Sequence, residues 1–435
     1  VETTAAKWHY QISDRKSQVM VTSVTTRSFA YVPDVPFTFN SAPVSVVDFI
    51  KYLGVEITAT GSWREVVQRL RRSARARFGM LAAGGVNMYG YHVPTGVRVY
   101  NTMVRPIVEY GADVWTPDAT RSRDLETLHN WAARTITGLN SWTAVEAVHA
   151  DIGFYRAETR REELKLRRFY RLHAMPNDWL VKKVYVIRRQ DWLSGRRRPL
   201  GHPWLYETEA VAERVGLRGA LTDPDTALER VTKAEWHEMV KDAVQRHAAA
   251  TWRDGAAEKS SLHLLRRVKE APEFEHYLKE GSREQRRTML RLRAGVLPVP
   301  ATLQRRDHEL TALATPPPCP ACSRVVRADE LHMLVDCPAV DSQRDIMWQA
   351  ITSAIHKHER VDASALLLSS TAARLGLLLL AGPLPGIDGK PVPHSQARNI
   401  VRVVLKYVHI LWRAFETAVQ VAAPSKLQRP DPPST

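Results

Sequence analysis

Cys319, Cys322, His332 and Cys337 stand in the spacing C-x2-C-x9-H-x4-C and use all three cysteines of the 435-residue chain. Thiolate sulfur and imidazole nitrogen are the donors that Zn2+ prefers, and four of them close a tetrahedral site. Two cysteines separated by two residues fit one tight turn, and a His and a Cys five positions apart suit a short helix. Four protein ligands leave no open position for water or substrate, so the expected role of the ion is structural. The alternative is three buried free thiols beside a surface histidine. An odd cysteine count in so long a chain disfavours a disulfide framework. His308, next to Asp307, is a weaker candidate to replace one ligand. The remaining histidines have no convincing catalytic partner in the sequence.

A second kind of chemistry is electrostatic. Lys plus Arg (62) exceeds Asp plus Glu (46), a formal net charge of +16. Guanidinium groups pair bidentately with phosphate, so an excess of this size favours a polyanionic partner, of which nucleic acid is the commonest. A soluble basic protein, or one that touches anionic membrane, is the alternative. The arginines cluster. Arg64, Arg71, Arg72, Arg75 and Arg77 share one stretch, and Arg160, Arg161, Lys165 and Arg168 another, while Arg291 and Arg293 precede the cysteines. Arg291 and Arg293 cannot share one helix face fully, so one is expected to reach outward while the other pairs inside the protein. A third basic segment, 182–198, reads equally well as a solvated linker.

The elements that must position these groups are mostly helices. Short β-prone runs at 17–23, 37–40, 44–49 and 52–57, parted by prolines, make a small antiparallel sheet at most. Ser62 with Glu65 reads as a capping box, after which Val66, Val67, Leu70, Ala74, Phe78 and Leu81 recur at helical spacing until Gly84-Gly85. Further helices are expected over 95–114, 121–138, 158–173, 226–253, 259–270, 283–294, 341–358, 364–380 and 396–422. The 424–435 tail, rich in Pro and Ser, reads as disordered. The most apolar run, Leu375 to Ala381, is too short to span a bilayer and reads as a buried helix. The chain opens at Val1 without methionine, and reads as a fragment, a processed product or a partial record; a cleaved targeting peptide would leave no trace.

Several stretches, in order, resemble the downstream half of a non-LTR (LINE-type) retrotransposon reverse transcriptase. Lys16-Ser-Gln-Val-Met20 is similar to the family's K-[ST]-x-V-M strand, and Phe49 to Ile57 (FIKYLGVEI) to its KYLGV primer-grip strand. Val104 to Ala112 (VRPIVEYGA), then Val114-Trp115, resembles a thumb helix, and Glu163 to Arg167 (ELKLR) another thumb match. Leu290 to Gly295 (LRLRAG), then the Cys/His block with Glu330 and Cys337-Pro338, resembles the family's C-terminal zinc region. The resemblance runs from about residue 7 to about residue 348. It implies primer-grip-like roles for Tyr52, Leu53 and Gly54, with RNA or an RNA–DNA duplex lying against the arginine helices. The catalytic carboxylates of the family lie upstream of the K-[ST]-x-V-M strand. Six residues precede Lys7 here, with Glu2 their one acid, and Asp14 reads as a surface turn residue. The chain alone is therefore expected to be inactive as a polymerase. Some of these elements carry a restriction-like nuclease after the zinc motif; Asp362 and Asp388-Gly389-Lys390 come nearest to it and read as ordinary loop residues.

The chain is thus expected to be mainly α: a residual palm edge at 1–60, a helical thumb at 61–200, and a helical C-terminal region at 201–423 with a zinc site at 319–337. Two functional expectations stay open. One is the nucleic-acid-gripping part of a retrotransposon reverse transcriptase. The other is a domesticated, non-catalytic RNA-binding subunit of a ribonucleoprotein such as a ribosome, in contact with its other proteins. A zinc-stabilised protein-interaction module is a third, weaker reading. No membrane partner is expected, and the compartment follows from neither reading alone.

Overall fold

The computed structural model describes residues 7–9, 13, 17–21, 37–39, 42–87, 90–195, 203–304, 316–367, 371–380 and 382–422. Asp14, Lys16, residues 196–199, Asp307 with His308, and the 424–435 tail lie outside the described residues. The chain is mainly helical with a small β component. Strands β1 (Gln18–Val19), β2 (Thr38–Phe39), β3 (Ala42–Pro43), β4 (Ser45–Val46), β5 (Phe49–Tyr52) and β6 (Val55–Thr58) pair in twos. β1 runs parallel to β4, whereas β2–β3 and β5–β6 are antiparallel, with Tyr52 opposite Val55. The single strand expected over Tyr52 to Ile57 is instead a hairpin. Leu53 (φ 47°) and Gly54 (φ 83°) both take left-handed backbone, as a two-residue type I′ turn requires. Glycine does so freely; Leu53 is the unusual partner, and its carbonyl accepts from the Tyr110 hydroxyl.

The chain divides into two compact units, each of discontinuous segments: 1–79, 101–129 and 156–247 in the first, and 80–100, 130–155 and 248–435 in the second. In the first, α1 (Arg64–Ala83) begins where the Ser62 hydroxyl accepts from the Arg64 N–H at 3.2 Å. Its Val67 packs with Ala112, Trp115 and Leu125. The helix expected over 95–114 is an α-helix (Val93–Val99), a π-turn (Tyr100–Val104) and a second α-helix (Arg105–Glu109). Pro106 explains the break, because it has no N–H to donate and its ring crowds the carbonyl one turn back.

After α2 (Ala119–Thr137) come α3 (Ala157–His173) and α4 (Leu180–Leu193). The basic segment is therefore a helix rather than a linker over most of its length. With α5 (Pro203–Arg214) and α6 (Lys233–Ala257) these helices enclose the larger core of the first unit. That core holds Leu166, Phe169, Tyr185, Trp192, Trp204 and Trp236 among others. Each buried indole N–H has an acceptor: Trp204 the Asp113 carbonyl (2.7 Å), Trp236 the Leu166 carbonyl (3.0 Å), Trp192 the Glu209 carboxylate (2.8 Å). An enclosed tryptophan needs such a partner.

In the second unit, α7 (Arg283–Arg293) starts at a reciprocal Ser282/Gln285 capping box. α8 (Asp341–His356) and α9 (Arg398–Ala422) follow. Along α9, Ile400, Val401, Val404, Val408, Leu411, Trp412 and Phe415 recur three and four residues apart and are buried, which is the pattern of a helix with one wide apolar face. That face packs against α7, α8 and the turn that follows Leu331. The helix expected over 364–380 is two short ones, Ala363–Leu367 and Thr371–Leu378, and that over 259–270 a 3-10 turn and one helical turn. Leu375 and Leu377 to Leu380 are buried, as the apolar run predicts. Among the described residues no helix is long and apolar enough to cross a membrane.

Candidate metal centre and cationic surfaces

Cys319, Cys322, His332 and Cys337 converge, with all four ligand atoms within 4.8 Å of one another. Cys322 Sγ lies 3.5 Å from His332 Nε2. No disulfide joins the cysteines. The first two ligands sit on a tight turn, as their spacing predicts. Cys319 N donates to Arg324 O and Ser323 N to Cys319 O, both at 2.7 Å, and Ser323 takes left-handed backbone (φ 61°). The N–H groups of Ala321 and Cys322 point at the Cys319 sulfur, which favours the thiolate that a metal needs.

The second pair sits on a helical turn of the π type, His332–Asp336. In an α-helix, positions five apart fall on different faces. A π-turn closes between i and i+5, and here Cys337 N donates to His332 O at 2.8 Å. The wider turn brings both ligands round to one side. Two side chains that sequence reasoning missed hold it. Asp329 Oδ1 accepts from Leu331 N (3.1 Å) and His332 N (3.0 Å). Arg344 of α8 donates to the carbonyls of Leu334 (3.0 Å), Met333 (3.2 Å) and Cys337 (2.8 Å) and pairs with Asp341. An Asp three residues before the ligand His was a readable capping signal; nothing around Arg344 marks it.

The protein alone does not favour a full set of thiolates. A hydrogen bond with Cys337 holds the Cys319 thiol down to about 5, while burial works the other way. The same bond, with burial, pushes Cys337 up. A divalent cation at this point reverses that opposition, because it is stabilised by every thiolate it meets. The donor set therefore suits a metal ion with four protein ligands.

The expected phosphate-contacting cations separate into groups. On α1, Arg64, Arg72, Arg75 and Arg77 are exposed and Arg71 half-buried. Arg64, Arg71, Arg72 and Arg75 fall within an arc of roughly 100° at 3.6 residues per turn. Arg71 lies 3.7 Å from Asp124, and the neighbouring Arg69 pairs with Glu56. On α3 the picture is reversed. Lys165 is 5% exposed and donates to Glu207 at 2.8 Å, and Arg161 is 7% exposed, bonded to the Ala157 carbonyl (3.0 Å) and Ser122 (3.2 Å). Arg160 and Arg167 both pair with Glu163, and Arg168 with Asp113 at 3.1 Å. Lys165 and Arg161 are thus removed from a solvent-facing set, since burial in that packed helix requires them to satisfy neighbours. Burial also lowers the Lys165 ammonium from its ordinary range, against the pull of Glu207.

Of the pair on α7, Arg293 is the inward residue. It is fully enclosed, with Nη2 2.9 Å from Asp151 Oδ1 and 3.0 Å from Glu275 Oε1, and Nη1 2.6 Å from the Leu379 carbonyl. Burial opposes its charge, but Asp151 and Glu275 outweigh it and raise the guanidinium above its ordinary range. It cannot touch a ligand from there. Arg291 is half-buried and has partners of its own. Tyr52, Leu53 and Gly54 form the exposed tip of the β5–β6 hairpin. Trp115 is enclosed, Trp131 half-buried and Trp142 exposed. Asp362 accepts from Ser364 N (2.9 Å) and Ala365 N (3.1 Å), and Asp388 from Lys390 N (3.1 Å), so both serve local turns. No family model matches the chain, and none of the curated proteins compared with it is similar.

Proposed function

We propose that this chain binds structured RNA or an RNA–DNA duplex, as the palm-edge, thumb and zinc region of a non-LTR reverse transcriptase. The observation that carries the reading is the outward arginine stripe of α1, taken together with the exposed hairpin tip that resembles a primer grip. Guanidinium groups spaced along one helix face meet successive phosphates and give affinity without sequence readout. The measurement is the salt dependence of duplex binding by the whole chain. Replacing Arg64, Arg72 and Arg75 together by Gln is expected to reduce the slope of log K against log salt by roughly 2–3. An unchanged slope would move the interface off α1 and remove the main support for this reading.

The cysteine cluster, in the same reading, holds one structural Zn2+. Zn–S and Zn–N bonds of ~2.0–2.3 Å place tetrahedral donors ~3.3–3.8 Å apart. The present spread of up to 4.8 Å is close to that, and the Cys322–His332 distance already lies inside it. When bound, the ion would tie the 319–324 turn to the turn after Leu331. Metal analysis should give one zinc per chain, and a chelator should lower the melting temperature by several degrees. A protein that is metal-free as purified and melts identically with chelator would rule out the site.

A further inference from the structure

The second unit holds a cavity of about 220 Å3 between the 90–93 segment and the first turns of α7. Arg283, Arg286 and Arg287 line it; three and four residues apart, they share one face of the helix. Tyr91 and His92, both exposed, form another part of the wall. No Asp or Glu is among the described lining residues. Arg286 is the unusual member. It is 7% exposed, yet its acceptors are main-chain alone: Nη1 donates to the carbonyls of Glu280 (3.2 Å) and Gly281. Its Nε and Nη2 have no acceptor among the described residues and are not sealed from solvent. The Glu280 carboxylate does not help, because it is taken by Arg398 (2.5 Å) and Arg402 (2.7 Å). Buried charges are normally paired, so this guanidinium lacks a counterion. Burial, and after it the like charge of Arg283, hold it below its ordinary range. Arg283 itself is exposed, with no partner among the described residues.

The chemistry of the wall selects among occupants. A cation or an apolar group would leave the Arg286 charge unanswered. A carboxylate, or a phosphodiester inside a strand, brings one negative charge and two free oxygens. A phosphate monoester brings a charge of about −1.5 to −2 and three strong acceptor oxygens, which matches three guanidinium groups on one helix face. We propose that this cavity binds a phosphate monoester, held by Arg283, Arg286 and Arg287 with His92 at its edge. The 5′-phosphate of an RNA strand and a small free phosphate ester share that chemistry. For the strand end the inference rests on the nucleic-acid reading above; for the free ester it stands without it. Glu284, the acid of the same turn, is exposed, lies 3.9 Å from Arg287 and is not part of the wall.

The test uses the full chain and two matched pairs of probes: a short RNA with a 5′-phosphate or a 5′-hydroxyl, and adenosine 5′-monophosphate or adenosine. The phosphorylated member of at least one pair should bind about tenfold more tightly, as charge-assisted hydrogen bonds to an enclosed guanidinium require. A preference in the RNA pair assigns the cavity to a strand end, and one confined to the adenosine pair assigns it to a free ester. Arg283→Gln, which has no protein partner to lose, should cut the preference to about threefold at an unchanged melting temperature. Arg286→Gln should abolish it; if that variant does not fold, Arg283→Gln decides alone. The triple change on α1 should weaken both RNAs alike and leave their ratio untouched, so failure of the α1 interface and failure of this site are read separately. No preference in either pair would overturn the proposal. So would a preference that Arg283→Gln leaves at its full size.

Discussion

Helices α1 and α3 both carry runs of basic residues, yet most of their arginines do opposite things. α1 carries six arginines and one acid, Glu65. α3 carries Glu158, Glu162 and Glu163 within its own turns and meets Asp113 and Glu207 from elsewhere in its unit. Most of its cations are consequently used up by the fold: Arg160 and Arg167 share Glu163, Lys165 takes Glu207 and Arg168 takes Asp113, while Arg171 stays exposed. On α1, Arg69 pairs with Glu56 and Arg71 lies 3.7 Å from Asp124, while Arg64, Arg72, Arg75 and Arg77 stay exposed to water. The difference teaches that a run of arginines announces a nucleic-acid surface only after the acids three and four residues away, and those across the core, have been subtracted.

The largest effect expected from breaking that distinction lies at the most internal cation. Arg293→Met would leave Asp151 and Glu275 buried without their partner, with the Tyr277 hydroxyl still 2.6 Å from Asp151. Removing one member of a buried ion pair typically costs about 3–5 kcal/mol. Denaturant unfolding should show that loss, while the salt slope of nucleic-acid binding in folded protein stays unchanged. A weaker binder of normal stability would mean that Arg293 works outward after all.

A smaller effect separates the two helices directly. Neutralising Arg160, Arg167 and Arg168 together by Gln is the counterpart of the triple change on α1. Because those guanidinium groups are a third or less exposed and face Glu163 and Asp113, the loss should appear as stability, about 1–3 kcal/mol. The salt slope should move by much less than in the α1 variant. If the two triple variants lost binding equally and neither lost stability, the division between the helices would have no meaning.

What could be read beforehand follows the range of the interactions. The convergence of Cys319, Cys322, His332 and Cys337 was legible because thiols are rare in the chain and their spacing is local. The core stripe of α1 was legible from period alone, whereas for α9 only a helix was expected. Lys165 was not, because Glu207 lies 42 residues away, and Arg293 was only half legible, because Asp151 lies 142 residues away. The β5–β6 hairpin hid because leucine seldom takes left-handed backbone, so Gly54 was its one sign. Arg344 acts through backbone carbonyls, which no side-chain pattern announces.

The smallest expected effect gives the finest test of the comparison. Arg72 is exposed on α1, and no partner for it is found among the described residues. Arg72→Gln should therefore shift stability by no more than about 0.5 kcal/mol, as surface changes away from caps and pairs usually do. The same change should lower the salt slope by about one unit, the mark of a single lost phosphate contact. Stability and slope thus move in opposite proportion at Arg72 and at Arg293, although both are arginines on basic helices. A melting temperature several degrees lower for Arg72→Gln, with the slope intact, would place α1 with α3 among helices whose charge is spent inside the fold.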